Sequence, residues 1–439
     1  MKKFILAFMT LALVVSFTAC GSKSAGSSSG DAAKGDSSSN TGTPEGTAKD
    51  NAAKGDAAAS EDVVTVNFYE HTDNEKVMTA LVNAYNAQSS KIKVNLTLIA
   101  NDDYDDKIKV MLSGGADLDG FWLRGGSTAR QLAEQGALLA LDDLNAANSV
   151  DVSKYGSMID AFAYDGKNYG LLTTKSCWLL WYNKDLFDAA GVDYPINLTW
   201  DQYTDLAKSL TTDGKMGSVC PDWMMNQGSV AAGEYLTDEN LTLTKQYAQY
   251  LEKWYVTDKS HPSIEDMSGS FDINASFAEG NTYMMINGDW EFLLLPDVAK
   301  DFTWCAAPLP RFEQTPEGST VGSSSSFSIA AKSKHPAEVY DFIKFCCYSD
   351  EGAKIYAQYS CVPAYPSDSA LEVYKKNVTA EGTDYVFSSK VASEQGIDSN
   401  YNEINDAFKE ELKNALIGNN TLDKAFDTFK QRRDEIAKK

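Results

Sequence analysis

From residue 62 onward the apolar residues follow two alternating rhythms. Val63-Val64-Thr65-Val66-Asn67-Phe68-Tyr69 is a short, mostly apolar run bounded by polar residues, which predicts a strand. Val77, Leu81, Val82 and Tyr85 then recur at helical spacing over 76–88, and Val94, Leu96 and Leu98 alternate along a second strand at 92–99. A helix over 104–112, with Asp102 or Asp103 as its N-cap, and a buried strand at 118–122 continue the series. Residues 169–182 read as one long aromatic-rich strand. Thr199-Trp200-Asp201-Gln202 is a capping box that opens a helix at 200–210. A helix at 242–255, strands at 282–286, 302–306 and 327–330, and a helix at 336–348 follow. Two C-terminal helices are separated by Gly418-Asn419-Asn420. Strands alternating with helices at this rhythm predict an α/β fold with a largely parallel sheet.

The first sixty residues have neither rhythm. Lys2 and Lys3 precede a mostly apolar stretch from Phe4 to Phe17, which has the form of a secretory signal peptide over 1–19. Thr18-Ala19-Cys20-Gly21 resembles a bacterial lipobox, and that resemblance implies cleavage and lipidation at Cys20. Of the 41 residues in 21–61, 25 are Gly, Ser or Ala, and none is aromatic, Val, Ile, Leu or Met. Such a stretch cannot offset its ordering entropy by burial, so 20–61 is expected to be a flexible tether spanning roughly 35 Å.

Charge narrows the function classes. The 439 residues carry 39 Lys+Arg against 62 Asp+Glu, a formal net charge of −23. The first 61 residues hold six Lys and six Asp+Glu, so the whole excess lies on the body, 62–439. That argues against nucleic acid as a partner and against adhesion by charge to an anionic membrane face. With 19 Phe, 22 Tyr and 8 Trp the body can bury a large core.

Seven segments, in order, carry a resemblance: 85–126 (YNAQSSKIKVNLTLIANDDYDDKIKVMLSGGADLDGFWLRGG), 132–144 (LAEQGALLALDDL), 165–192 (DGKNYGLLTTKSCWLLWYNKDLFDAAGV), 198–210 (LTWDQYTDLAKSL), 277–292 (FAEGNTYMMINGDWEF), 307–310 (APLP) and 322–345 (GSSSSFSIAAKSKHPAEVYDFIKF). Together they resemble the extracellular solute-binding proteins of ABC importers, of the sugar-binding type related to maltose-binding protein. The resemblance implies a periplasmic-binding-protein-like α/β fold, with two α/β lobes, a hinge and a ligand cleft between the lobes. Lobe 1 would comprise about 62–172 and 313–360, and lobe 2 about 177–310 and 361–439. It implies a carbohydrate ligand, ABC permease subunits as partners, a monomer held at the extracellular face of the membrane by its lipid, and no covalent chemistry or cofactor.

A sugar presents C–H faces that stack on aromatic rings and hydroxyls that need directed hydrogen bonds, so aromatics beside polar residues at strand ends are the candidates. Trp290, beside Asp289 in Asn287-Gly288-Asp289-Trp290-Glu291, is the leading one. Trp122 and Arg124 follow the third strand, at the carboxyl end where open α/β sheets bind ligands. Glu70 and His71 end the first strand. Trp178 and Tyr182 lie in the expected crossing between lobes, and Trp223 follows Cys220-Pro221. Ser324 lies in a run of small residues, and Tyr401 precedes the penultimate helix. Each also has a structural explanation: core packing for the aromatics, a solvated turn for Glu70 and His71, a tight crossing for Ser324. Trp200 is assigned to packing.

Other chemistries find little support. His71, His261 and His335 are isolated, and no Cys/His spacing matches a zinc site, so no metal is expected. Asn101-Asp102-Asp103-Tyr104-Asp105-Asp106 lacks the glycine and the terminal glutamate of an EF-hand loop. No phosphate-binding loop or nucleophile elbow is present. The six cysteines beyond Cys20 are expected to be mostly buried thiols. Two alternatives remain: a secreted glycan-degrading enzyme, whose two carboxylates any acidic chain can supply, and the same scaffold binding a polyamine or other non-sugar solute.

Overall fold

The computed structural model describes residues 63–115, 117–267 and 271–438. The proposed signal peptide, the lipidation site Cys20 and the tether lie outside the described residues. Two sheets organise the body. The first has the order Ile92–Ile99, Val64–His71, Gly120–Arg124, Ser324–Ile329, Leu171–Lys175. Its first three strands are parallel, and Ser324–Ile329 runs antiparallel to both neighbours. The second has the order Trp304–Pro308, Trp178–Asn183, Thr282–Gly288, Met216–Val219, and two of its three pairings are antiparallel. The expected largely parallel sheet therefore describes the first sheet better than the second.

The side-chain patterns explain the layers. Val66 and Phe68 of the first strand are fully buried, and Phe68 meets Phe327 and Phe342 edge-on at 4.7 and 5.1 Å. In the second sheet, all six residues of Trp178–Asn183 are buried. Trp178, Leu180 and Tyr182 face a core with Trp200, Tyr203, Tyr247 and Trp254, while Leu179 and Trp181 face another with Phe277 and Phe292. A strand covered on both faces reads as a continuous apolar run, not as an alternation. The capping box forms as expected, with Thr199 and Gln202 bonding reciprocally, and Asn183 caps Lys184–Ala190 through Leu186 N at 3.1 Å. Asp102 and Asp103 differ from expectation: the helix Asn101–Gly114 begins earlier and places them in its first turn, where carboxylates favour the helix dipole without capping it.

The expected single strand at 169–182 is two strands, Leu171–Lys175 and Trp178–Asn183, one in each sheet. The break at Ser176-Cys177 is the first crossing between lobes. Ser176 N donates to Ser323 O at 2.9 Å and Ser323 N donates to Ser176 Oγ at 3.2 Å, so this crossing is stitched to a second one. Lys175 N donates to Val362 O at 3.0 Å, which brings a third segment alongside. Gly322 is required there, since a Cβ would stand 1.9 Å from Ser176 O. Two α/β lobes thus meet at a three-stranded hinge. Phe312 and Val321 pack in the same core as Trp178 and Tyr203.

Candidate functional site

Between the lobes lies a cleft of about 870 Å³, lined from both sides and by the hinge. Its first wall is built on strand ends. Glu70 is fully buried at the end of Val64–His71; its Oε1 accepts from His71 N at 3.2 Å and Asn74 Nδ2 at 3.3 Å, and its Oε2 has no partner. Burial pushes its carboxyl up to about 8. Burial, aided by the charge of Arg124, pushes His71 down to about 3, so its ring is neutral. That ring meets Trp122 edge-on at 4.5 Å. The Arg124 guanidinium lies over the Trp122 ring at 4.8 Å, donates to Asn101 Oδ1 at 2.7 Å and pairs with Asp105 at 3.3 Å. Its charge is therefore already engaged within its own lobe.

The second wall grows from Thr282–Gly288 and the residues after it. Asp289 Oδ1 accepts from Cys177 N at 3.3 Å, and burial pushes its carboxyl up to about 7. Trp290, half-buried, folds its ring against Gly288, where a Cβ would stand 2.0 Å from the indole. Trp178 lies beneath, edge-on to Trp290 at 6.0 Å and tilted against Trp223 at 6.2 Å. Trp223 is 43% exposed and faces the cleft.

Nine of the eleven candidates line this cleft: Glu70, His71, Trp122, Arg124, Trp223, Asp289, Trp290, Ser324 and Tyr401. Trp178 and Tyr182 do not. Both point into the second lobe's core, because their strand lies between two partners with both faces covered; Tyr182 packs against Phe187 and Tyr194. Trp200 is fully buried, as expected for packing. The sequence did not single out Asn226, Asn274, Asn287, Glu394, Gln395 or Asn402, all of which line the cleft. Isolated amides and carboxylates in loops carry no period, and only the fold gathers them. Among the described residues no group of His, Cys, Asp and Glu is arranged to hold a metal ion. Five of the six body cysteines are buried, and Cys361 lines the cleft.

A wide, hinged cleft that joins indole faces to amides and carboxylates is a place to hold a polar ligand with apolar faces. A family model for bacterial extracellular solute-binding proteins matches residues 80–382. The chain belongs to that family. Among its relatives, an arabinooligosaccharide-binding protein from Halalkalibacterium halodurans is 34% identical over 95 residues, a match covering 21% of each chain. A binding protein of Brucella abortus is 23% identical over 312 residues, covering 67% of this chain and 74% of its own. Among solved structures, an ABC substrate-binding protein from Listeria monocytogenes in complex with cycloalternan is similar at a TM-score of 0.78 and 28% identity, covering 86% of this chain and 99% of its own. A maltose-bound T. maritima protein, at 16% identity and a TM-score of 0.70 over 85% of this chain and 99% of its own, shares the fold. As a family member this chain is an extracellular or periplasmic solute-binding protein. No helix among the described residues is long and apolar enough to cross a membrane.

Proposed function

We propose that this solute-binding protein is the carbohydrate receptor of an ABC importer, closing its two lobes around a sugar or oligosaccharide and presenting it to the permease subunits. The observation that carries this is the placement of Trp122, Trp223 and Trp290 in one cleft with Asn226, Asn287, Asp289 and Glu394. A ring stacked on an indole buries its C–H face, and the neighbouring amides and carboxylates accept or donate to its hydroxyls. A micromolar complex needs about −8 kcal/mol, which one or two stacked rings and a set of net hydrogen bonds near 1 kcal/mol each can supply. The likeness to a cycloalternan-bound structure supports the same ligand class.

The nine cleft-lining candidates are the proposed ligand contacts. The proposed lobes are joined by the crossings at 175–178, 322–324 and 360–363. The chain acts as a monomer without cofactor or catalysis, anchored outside the membrane through a lipid on Cys20 and a tether over 21–61. A thermal-shift screen of the full chain against a glycan panel, with product analysis of each hit, tests this. A rise in Tm with an oligosaccharide recovered intact is expected. Hydrolysis of the hit would instead make the chain a glycan-degrading enzyme.

A further inference from the structure

One segment of the second lobe spans the cleft. Lys390–Ser393 pairs in parallel with Ser319–Gly322, and Glu394 N donates to Gly322 O at 2.8 Å. A few residues later the chain is held by the first lobe: Arg130 donates to Ile397 O at 3.0 Å, and Ser127 Oγ donates to Asp398 O at 2.9 Å. Glu394 and Gln395 are thus suspended between two anchors on opposite lobes, and both line the cleft.

The surroundings of these two side chains are incomplete. Trp178 Nε1 donates to Glu394 Oε2 at 3.4 Å, and the Ser323 side chain also bonds to this carboxyl. The same indole underlies Trp223 and Trp290, so the carboxylate sits at the base of the two rings that face the cleft. Burial raises the Glu394 carboxyl above its usual range. Among the described residues the only cation acting on it is Arg124, whose guanidinium is engaged by Asn101 and Asp105. Gln395 Oε1 is buried without a hydrogen-bond partner, in space left by Gly125, where a Cβ would stand 2.6 Å from that oxygen. Enclosed acceptors without enough donors cost free energy until a ligand supplies them. Adjacent hydroxyls of a sugar ring are such donors, and they arrive beside a C–H face suited to the neighbouring indoles.

We propose that Glu394 and Gln395 are specificity-determining ligand contacts that read adjacent hydroxyls of the sugar ring lying against Trp223 and Trp290, with Trp178 a positioning residue that orients the Glu394 carboxylate. This rests on the carbohydrate-receptor function above. It also gives Trp178 a role in binding without ligand contact.

Isothermal titration of the full chain with cycloalternan, mannotriose and maltose tests the assignment. Glu394→Gln should lose at least tenfold in affinity for whichever sugar the parent binds, change the ranking among the three, and keep its Tm. Trp178→Phe should lose less, and adding it to Glu394→Ala should cost little more than Glu394→Ala alone, because the indole then has no carboxylate to orient. Affinity of Glu394→Gln within twofold of the parent, with the ranking unchanged, would overturn the proposal. Additive losses in the double variant would overturn the positioning role of Trp178. A parent that binds neither these three nor any other oligosaccharide of the glycan panel would overturn the carbohydrate reading and this inference with it, whereas binding unchanged by Glu394→Gln defeats this inference alone.

Discussion

Trp290 stands where an indole can be reached from the cleft and still be held in place. Gly288 lets its ring lie flat against the backbone, and Trp178 supports it from below. Trp290→Ala should weaken sugar binding by more than tenfold in a titration, with little change in Tm, since the ring is only half-buried. Unchanged affinity would remove it from the site. Trp178 and Tyr182 show the limit of reading residues one at a time. An aromatic at a strand end and one in a central strand look alike in sequence, and only the presence of partners on both sides tells them apart. Glu394 shows the converse. Nothing in its neighbourhood marks it, because the strand that places it pairs with Ser319–Gly322, far upstream.

At the scale of elements, local signals are the most legible. The capping box at Thr199, the cap at Asn183 and the periods of most helices depend on neighbours a few residues away. The run 169–182 reads as one strand because both halves are apolar, and the break at Ser176-Cys177 is set by hydrogen bonds to Ser323, far along the chain. The hinge depends on the same contacts. Gly322→Ala would drive a methyl into Ser176 O and should destabilise the body by about 1–3 kcal/mol, the usual cost of overpacking. Urea unfolding measures this; a change under about 0.5 kcal/mol would mean that the crossing is loosely packed.

At the scale of the whole molecule, the order of segments carried the two-lobed fold, while the cleft's composition needed the folded chain. The acidic excess is also distributed unevenly. Burial pushes Glu70 and Glu291 up to about 8 and Asp289 up to about 7, so the folded chain keeps protons that the unfolded chain releases near pH 4–5. Stability from these groups is complete at low pH and is lost as pH rises through 7 to 8. His71 and His261, pushed down to about 3, act oppositely: their contribution is present above about 6.5 and is lost as pH falls toward 3. Between pH 6.5 and 8.5 the folded chain loses the protons held by Glu70, Glu291 and Asp289, so Tm should fall over that range. Glu291→Gln, which lies outside the cleft lining and retains an acceptor for Asn287 Nδ2, should flatten the fall. A Tm that is level or rising from pH 6.5 to 8.5 would contradict this.

Intrinsic tryptophan fluorescence during titration with an oligosaccharide tests the central claim most directly, because Trp122, Trp223 and Trp290 line the cleft. A carbohydrate receptor gives a saturable spectral shift, with the sugar recovered unchanged after hours of incubation. A shift with spermidine and none with any oligosaccharide, or the appearance of shortened sugar products, would contradict it.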